Sequence, residues 1–173
     1  ILAGANLGYG NANNIGLREV KSKYALILNP DTELFPNTLD NFLEVAKDKK
    51  NFAIIGPNIV EDKNKIKHSF DEFKSSKSQS VKSVKGFAMF LNLAEFIDIG
   101  FFDEKIFIYL EEIDLCKRLV KKGKKIYLSK YVPIFHEGGK SHDNNVDYQM
   151  ELSRNWHWMW STFYYNKKYR GFF

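Results

Sequence analysis

The apolar positions in the first third of the chain follow two patterns, which together predict an α/β fold. Residues 24–28 and 52–55 are continuous apolar runs that end at Asn-Pro-Asp and Gly-Pro. Such runs are typical of strands buried on both faces of a parallel sheet. Residues 37–49 lie between them and carry apolar side chains at helical spacing. This order of strand, helix and strand predicts a right-handed crossover.

Further strands and helices are predicted from the same two patterns along the rest of the chain. Strands are predicted at residues 84–91, 125–128 and 132–135, a polar hairpin at 59–68, and helices at residues 11–20, 112–122 and from about 146 onward. Residues 71–83 are rich in Ser and Lys and nearly free of large apolar side chains. We therefore expect a mobile surface loop there.

Composition narrows the class of protein. A chain of 173 residues that is 44% hydrophobic suits a single domain. No apolar stretch approaches the roughly 18 residues that span a bilayer, and the single Cys116 cannot form an internal disulfide, so we expect a cytoplasmic protein. The net charge of +5 favours an anionic partner such as a nucleotide or lipid headgroups. Because the Lys residues are scattered and no nucleic-acid-binding module is present, we expect no nucleic-acid partner.

The first polar cluster, Asn29-Pro30-Asp31, directly follows the first predicted strand. Ligands of open α/β sheets bind where strands end, and a carboxylate there can hold a hard cation such as Mg²⁺ or Mn²⁺. The alternative is a plain turn, because Asn, Pro and Asp are all favoured turn residues. Taken alone, the segment favours the turn.

The second cluster places three carboxylates, Glu111, Glu112 and Asp114, at the start of a predicted helix. Their mutual repulsion should raise at least one pKa, which suits a general base that takes a proton from a hydroxyl group. The alternative is that the acids stabilise the positive end of the helix dipole, with Asp114 in a structural role. The segment alone does not decide between the two.

Two glycine-containing segments complete the candidate site. His136 follows an apolar strand and precedes Gly138 and Gly139, so it could ligate a metal beside backbone that approaches a phosphate. A surface histidine in a glycine loop is the alternative, and the more frequent one. Residues 6–16 combine small residues with a predicted helix start, which could cradle a phosphate. Their glycine spacing matches neither the dinucleotide fingerprint nor the P-loop.

Six segments follow one another in a specific order: Asn-x-Gly-Tyr-Gly-x-Ala-Asn-Asn-x-Gly, Leu-Asn-Pro-Asp-Thr, Val-Lys-Gly-Phe-Ala-Met, Ile-Gly-Phe-Phe-Asp-Glu, Phe-x-Tyr-x-Glu-Glu-x-Asp-Leu-x-x-Arg and His-x-Gly-Gly-x-Ser. Together they resemble the family-2 glycosyltransferases. The resemblance is greatest to the rhamnosyltransferase-like and galactofuranosyltransferase-like branch, which builds bacterial surface polysaccharides. It runs from Asn6 to about Ser141.

The resemblance implies a GT-A fold, an α/β architecture with a mixed sheet flanked by helices, and an inverting mechanism that uses Mn²⁺ or Mg²⁺. Asp31 and His136 would be metal ligands. Glu112 falls where the family places its general base, in a segment usually written Glu-Asp. Because this chain has Glu-Glu there, Glu111 and Asp114 remain alternatives for the base.

The resemblance also implies a nucleotide-sugar donor, linked to UDP or dTDP, and a glycan or lipid-linked acceptor. Glycines and small side chains would lie beside the nucleotide and line the donor-sugar pocket, where larger ones would block it. The donor-binding positions implied in this way are Gly8, Asn13, Asn29, Asp31, Gly86 and Ala88.

The family normally begins with a strand, a helix and a strand that hold the nucleobase, and this chain starts after them. We therefore expect an N-terminally truncated copy, with residues 1–145 as a partial catalytic domain and residues 146–173 as an aromatic and basic helical extension. The alternative function is a non-catalytic remnant or binding module that lacks nucleobase recognition.

The C-terminal helix presents an aromatic face that could be buried or could contact a membrane. Aromatic stripes at helical spacing usually pack on the rest of the domain. Trp and Tyr beside Lys and Arg also favour a lipid surface, which predicts peripheral contact with the inner face of the cell membrane. The inward face is predicted to hold Trp156, Trp160, Phe163 and Tyr164, with Tyr165, Tyr169 and Phe172 left exposed.

Overall fold

The computed structural model describes residues 1, 3–60, 78–136 and 147–171, which form an α/β domain with helices on both faces of a sheet. The elements are α1 (Tyr9–Glu19), β1 (Tyr24–Leu28), β2 (Thr32–Leu34), α2 (Thr38–Asp48), β3 (Phe52–Val60), β4 (Ser78–Val81), β5 (Ala88–Asn92), a 3₁₀ turn (Leu93–Phe96), α3 (Glu111–Lys121), β6 (Lys125–His136) and α4 (Asp147–Arg170).

The sheet is mixed, as predicted. Its order is β1-β5-β3-β6-β2, and β4 also pairs with β6. Only the β3–β6 pair among these strands is parallel, and the other pairs are antiparallel. Because β6 is long, its first half pairs with β4 and its last residues pair with β2.

The prediction that residues 24–28 form a strand buried in a parallel sheet is half wrong. The bounds of β1 agree, but β1 is an edge strand that runs antiparallel to β5. Of its five residues only Ile27 is fully buried, and Leu28 is exposed. An apolar run favours a strand, but it carries no information about which strand lies alongside or in which direction that strand runs.

Two further predictions are corrected around β6. The strands predicted at 125–128 and 132–135 are one strand, whose pairing with β3 jumps from Pro57–Ser129 to Asn58–Pro133 across an irregularity. Of the loop predicted at 71–83, residues 78–81 form β4, while residues 71–77 lie outside the described residues, as does most of the predicted hairpin. Backbone hydrogen bonds to β6 hold β4, and they need no apolar side chains.

The core has two parts, one on each face of the sheet. One part packs α2 on the sheet through Phe42, Val45 and Ala46. The other packs α1 and α3 through residues that include Leu17 and Cys116, so the expectation that the single cysteine is a core residue is confirmed. None of the described helices is long and apolar enough to cross a membrane.

Candidate active site

A cavity of about 490 Å³ lies where the ends of β1 and β6 meet the start of α3. It brings together five residues that the sequence predicted for the site: Asn29, Gly86, Glu111, Glu112 and His136. The full lining is Tyr9, Asn29, Lys85, Gly86, Phe87, Ile108, Tyr109, Leu110, Glu111, Glu112, His136 and Trp158.

Asp31 and His136 are brought together by the pairing of β2 with β6. Thr32, next to Asp31, lies opposite His136 in this ladder, and His136 Nε2 is 3.4 Å from Asp31 Oδ2. The short strand β2, which the sequence analysis missed, is therefore what makes the two side chains neighbours. The ring of Phe87 stacks on the imidazole with centroids 4.7 Å apart, which fixes its plane.

The chemistry of this pair fits a divalent cation. Asp31 Oδ1 and His136 Nε2 are both buried and have no hydrogen-bond partner in the described part of the chain. Buried polar atoms are normally paired, so unpaired ones point to a missing ligand. No group of three or more metal-ligating side chains is found in residues 1, 3–60, 78–136 and 147–171. A cation held by this pair would take its remaining ligands from substrate phosphates and water, as Mg²⁺ commonly does.

Glu111 and Glu112 begin α3 and line the cavity. Burial raises the pKa of Glu111 to about 7, and the neighbouring Glu112 adds to the effect. Burial also raises the pKa of Glu112, which is opposed by hydrogen bonds from the backbone N–H groups of Glu112 and Ile113. Both carboxylates are thus shifted towards the pH range in which a general base works.

Glu112 also borders a second cavity of about 330 Å³, which shares Lys85 and Phe87 with the first. Of the two candidate bases in the cavity, Glu112 therefore has the wider access to a ligand. Glu111 is only 7% exposed, and its Oε2 lacks a hydrogen-bond partner within the described residues.

The backbone that leads into α3 is strained. Tyr109 and Leu110 have φ angles of 70° and 67°, in the left-handed region that residues with a Cβ rarely occupy. Two such residues in succession cost on the order of 1–3 kcal/mol each, and they immediately precede Glu111. The strain sets the direction in which α3 begins and so places both glutamates at the cavity.

Tyr9, at the start of α1, was missed as a site residue although it stands in the glycine segment of the resemblance. Its hydroxyl donates a hydrogen bond to the carbonyl oxygen of Gly86. Burial raises the pKa of Tyr9, with further contributions from Glu111 and Glu112, so the phenol stays protonated beside the two carboxylates. A Cβ on Gly86 would lie 3.5 Å from the Cβ of Glu112, so a larger side chain there would fill the space beside the candidate base.

Four predicted donor-binding residues do not line the 490 Å³ cavity: Asp31, which contacts the lining residue His136, and Gly8, Asn13 and Ala88. Gly8 has φ 79°, and a Cβ there would lie 2.1 Å from the carbonyl oxygen of Phe107, so its glycine is explained by packing. Asn13 donates a hydrogen bond to the carbonyl oxygen of Tyr9 within α1. Ala88 is fully buried in β5, within the core.

Asp114 does not line the cavity that the two glutamates line, and it is fully buried in a network of hydrogen bonds and ion pairs. Its Oδ2 accepts from Arg118 Nε at 2.7 Å. Its Oδ1 accepts from Lys168 Nζ at 2.6 Å and from the Tyr169 hydroxyl at 2.8 Å, both on α4. Lys168 also binds Asp103, whose Oδ2 is 2.6 Å from the ammonium.

The predicted inward face of α4 is wrong for three of its four residues, while Tyr164 is half-buried and packs inward as predicted. Trp156, Trp160 and Phe163 are 61%, 42% and 50% exposed, whereas Tyr165 and Tyr169, predicted to be exposed, pack on Lys117 of α3. Phe172 lies outside the described residues. The helix docks largely through hydrogen bonds to carbonyl groups and carboxylates, with ring contacts of His157 and Trp158 beside them.

Those polar contacts run along the inner face of α4. Ser161 Oγ donates to the carbonyl oxygen of Ile108 at 2.7 Å, and the Tyr164 hydroxyl donates to Asp103 Oδ2 at 2.9 Å. Trp158 lines the cavity, whereas Trp156 and Trp160 do not. The sequence gives no sign of this difference, because all three are tryptophans of one helix.

The sequence matches one family profile. Residues 1–115, about two thirds of the chain, match the profile described as Glycosyl transferase family 2.

Relatives and solved structures agree with this match. Rhamnosyltransferase WbbL of Escherichia coli (strain K12) is 27% identical, over 95% of this chain and 72% of WbbL. The N-acetylglucosaminyl-diphospho-decaprenol L-rhamnosyltransferase of Mycobacterium tuberculosis is 25% identical, over 83% of this chain and 59% of that protein. The structure resembles the mannosyltransferase PcManGT of Pyrobaculum calidifontis, solved with GDP-Man and Mn²⁺, at a TM-score of 0.57 and 14% identity, over 78% of this chain and 37% of that one. The chain thus spans only part of each of these proteins.

Proposed function

This chain belongs to glycosyl transferase family 2 and has the GT-A fold, and from that premise we propose that its cavity transfers a sugar from a nucleotide-diphosphate donor to a hydroxyl group of an acceptor. The observation that carries the proposal is the proximity of a candidate metal-binding pair to candidate catalytic carboxylates. The Asp31–His136 pair, with its unpartnered atoms, lies beside a cavity lined by Glu111 and Glu112.

Glu112 is the general base of the proposed reaction. Its carboxylate takes the proton of the acceptor hydroxyl as that oxygen bonds to the anomeric carbon, and the bond from the anomeric carbon to the donor phosphate breaks on the opposite face. The electron pair leaves with the nucleoside diphosphate, and the attack from the opposite face inverts the configuration of the anomeric carbon. No covalent intermediate on the protein is needed, in agreement with the burial of Cys116 in the core.

Asp31 and His136 would hold Mn²⁺ or Mg²⁺, which supplies positive charge that stabilises the leaving diphosphate. The chain's own residues keep this pair in place: the β2–β6 ladder sets its spacing, and the Phe87 ring supports the imidazole. Asn29 lines the same cavity, and its backbone N–H donates to the carbonyl oxygen of Phe87 at 2.8 Å. Gly86 leaves the room that the donor sugar needs.

The names of the relatives support a sugar donor and a lipid-linked acceptor. WbbL is a rhamnosyltransferase, and the mycobacterial relative acts on a diphospho-decaprenol carrier by its name. We propose a rhamnosyl or similar donor linked to dTDP or UDP, and a glycan or lipid-linked acceptor, in the synthesis of bacterial surface polysaccharide.

We further propose that the protein is cytoplasmic and contacts the inner face of the cell membrane through the exposed side of α4. Five large apolar side chains are between 50% and 74% exposed along this side: Tyr148, Leu152, Trp156, Met159 and Phe163. The last turn of α4 is basic, which favours anionic headgroups.

Flotation with anionic and with neutral vesicles tests the membrane contact. Replacing Trp156 and Phe163 by Ser should abolish binding to the anionic vesicles. Equal flotation of the two proteins would retire the membrane contact.

The transfer proposal is tested by a panel of UDP- and dTDP-sugars. A donor should raise the melting temperature of the protein in the presence of Mn²⁺ or Mg²⁺ and less in EDTA, because a ligand that binds only the folded state stabilises it. Release of nucleoside diphosphate from that donor, with and without an acceptor glycoside, then measures turnover.

The outcomes separate two functions. Metal-dependent donor binding with turnover supports the transferase. Donor binding without turnover under any metal would favour the non-catalytic binding module. The matched control is Asp40→Asn, which changes an exposed acid on α2 and should leave both measurements as in the unchanged protein.

A further inference from the structure

Trp158 lies on α4, in the segment predicted to be an extension of the catalytic domain, yet its side chain lines the active-site cavity. We propose that the Trp158 ring is the platform on which a sugar ring of the acceptor stacks. The inference rests on the proposed glycosyl transfer, and it adds the class of acceptor: a glycoside whose terminal pyranose ring presents an apolar face.

The Trp158 ring is only partly used by the protein. The residue is 51% exposed, and its ring meets Tyr109 edge-on, with centroids 5.6 Å apart and planes at 79°. A free aromatic surface on a cavity wall offers a large contact area to a ligand, because aromatic rings contribute much of the binding energy where they are buried. The rings of Trp158 and Tyr109 together form an aromatic part of the cavity wall.

Residues on either side of Trp158 in the sequence fix this part of α4 to the rest of the domain. His157 stacks on Phe107 with centroids 4.2 Å apart, and Ser161 Oγ donates to the carbonyl oxygen of Ile108 at 2.7 Å. Both partners lie in the segment that leads through Tyr109 and Leu110 into α3. Trp158 is therefore fixed relative to the backbone that positions the two glutamates, and a fixed contact loses less entropy when a ligand binds.

The position of Trp158 favours the acceptor over the donor. The groups assigned to the donor diphosphate, Asp31 and His136, lie on the paired strands β2 and β6 and the turn before them. Trp158 instead reaches the cavity from α4, and the residue that its ring contacts, Tyr109, lies three positions before Glu112 in the sequence. A general base must lie within hydrogen-bond reach of the acceptor hydroxyl, so a ring that shares its cavity and contacts the segment leading into it is placed to hold the acceptor.

The chemistry of the cavity selects a sugar. A pyranose has hydroxyl groups around its edge and C–H groups on its faces. Glu111 and Glu112 offer carboxylate oxygens for the hydroxyl groups, one of them unpartnered within the described chain, and the indole offers an apolar surface for the ring face.

The test compares Trp158→Ala and Trp158→Phe with the unchanged protein, using octyl β-N-acetylglucosaminide as a water-soluble acceptor and the donor found in the panel. We expect Trp158→Ala to raise the KM for the glycoside about ten-fold and Trp158→Phe to recover part of the loss. The KM for the donor and the rate of donor hydrolysis without acceptor should not change. Ile97→Ala removes a side chain that is 82% exposed outside the cavity and should leave all of these values unchanged.

Calorimetric titration of the glycoside into each protein gives a readout that needs no turnover. Loss of glycoside binding in Trp158→Ala, with an unchanged melting temperature, supports the platform. The proposal is overturned if glycoside affinity is unchanged, if donor KM rises in the same proportion, or if Trp156→Ala, two positions away, weakens glycoside binding as much. Failure of the unchanged protein to bind or hydrolyse any nucleotide-sugar would overturn the proposed transfer instead, whatever the titration shows.

Discussion

The open acids, Asp31, Glu111 and Glu112, differ from the anchored acids, Asp103 and Asp114, in how their oxygens are bonded. Two of the open acids keep a buried oxygen without a partner among the described residues, while both anchored acids bind the ammonium of Lys168. An unsatisfied buried polar group costs about 1–3 kcal/mol. The contrast teaches that acids crowded into one short motif can divide into ligand-binding and structural roles.

Burial alone does not separate the two groups. Asp114 is fully buried and Glu111 is 7% exposed, but Asp114 binds Arg118, Lys168 and the Tyr169 hydroxyl, whereas Glu111 Oε2 has no partner among the described residues. The pKa of Glu111 is raised by burial. In Asp103 burial also favours the neutral acid, but hydrogen bonds from Lys168, the Lys105 backbone and Tyr164 prevail and lower the pKa. What distinguishes the groups is whether cations and hydroxyl donors of α4 reach them.

The largest effect should follow from removing the open acid of the candidate metal pair. Asp31→Ala should abolish metal-dependent donor turnover, because His136 alone cannot hold the cation. Donor hydrolysis measured over a range of Mn²⁺ concentrations checks this. A variant that keeps the metal dependence of the unchanged protein would show that the metal lies elsewhere.

Glu112→Gln should leave donor binding nearly intact and reduce transfer by about 10²–10⁴-fold, because it removes proton acceptance and preserves shape. Single-turnover transfer and donor affinity measure the two effects separately. The matched comparison is Glu111→Gln, one residue away. If Glu111→Gln or Asp114→Asn is the deficient variant and Glu112→Gln transfers normally, then the base is another member of the cluster.

Asp114→Ala should act on stability. Removing one partner of a buried ion pair typically costs about 3–5 kcal/mol, and here it leaves Arg118 and Lys168 without their shared carboxylate. Urea unfolding measures the loss. Asp103→Ala is the control, with a smaller expected loss because its side chain is 16% exposed. Equal stability of Asp114→Ala and the unchanged protein would mean that the anchored acids do not hold α4.

Glu111 should make stability depend on pH. Its pKa is about 7 in the folded protein and 4.5 as the ordinary value, so the folded state binds the proton more tightly. Raising the pH through this window removes the proton and should lower the free energy of unfolding by on the order of 3 kcal/mol. Glu111→Gln should lack this loss, so its advantage over the unchanged protein grows from pH 4 to pH 8. A stability difference that stays constant over that range would contradict the raised pKa.

Much of the fold and part of the site follow from the sequence alone. The hydrophobic patterns located α1, α2, α3, β1 and the start of α4, because periodicity reports which side chains must be covered. Polar residues at the ends of apolar segments indicated the clusters that contain Asp31, Glu112 and His136, and the resemblance to the family implied the role of each.

Other features were decided only by the tertiary structure. Contacts between distant segments pair β2 and β4 with β6 and bring Asp31 next to His136. They also give Asp114 partners on α4, which Glu112 does not share. The inner face of α4 was predicted correctly only at Tyr164, because much of the surface that it meets is polar: carbonyl groups and carboxylates also bind Ser161 and Lys168. A periodic pattern counts apolar side chains on one helix, but it cannot describe the surface against which that helix packs.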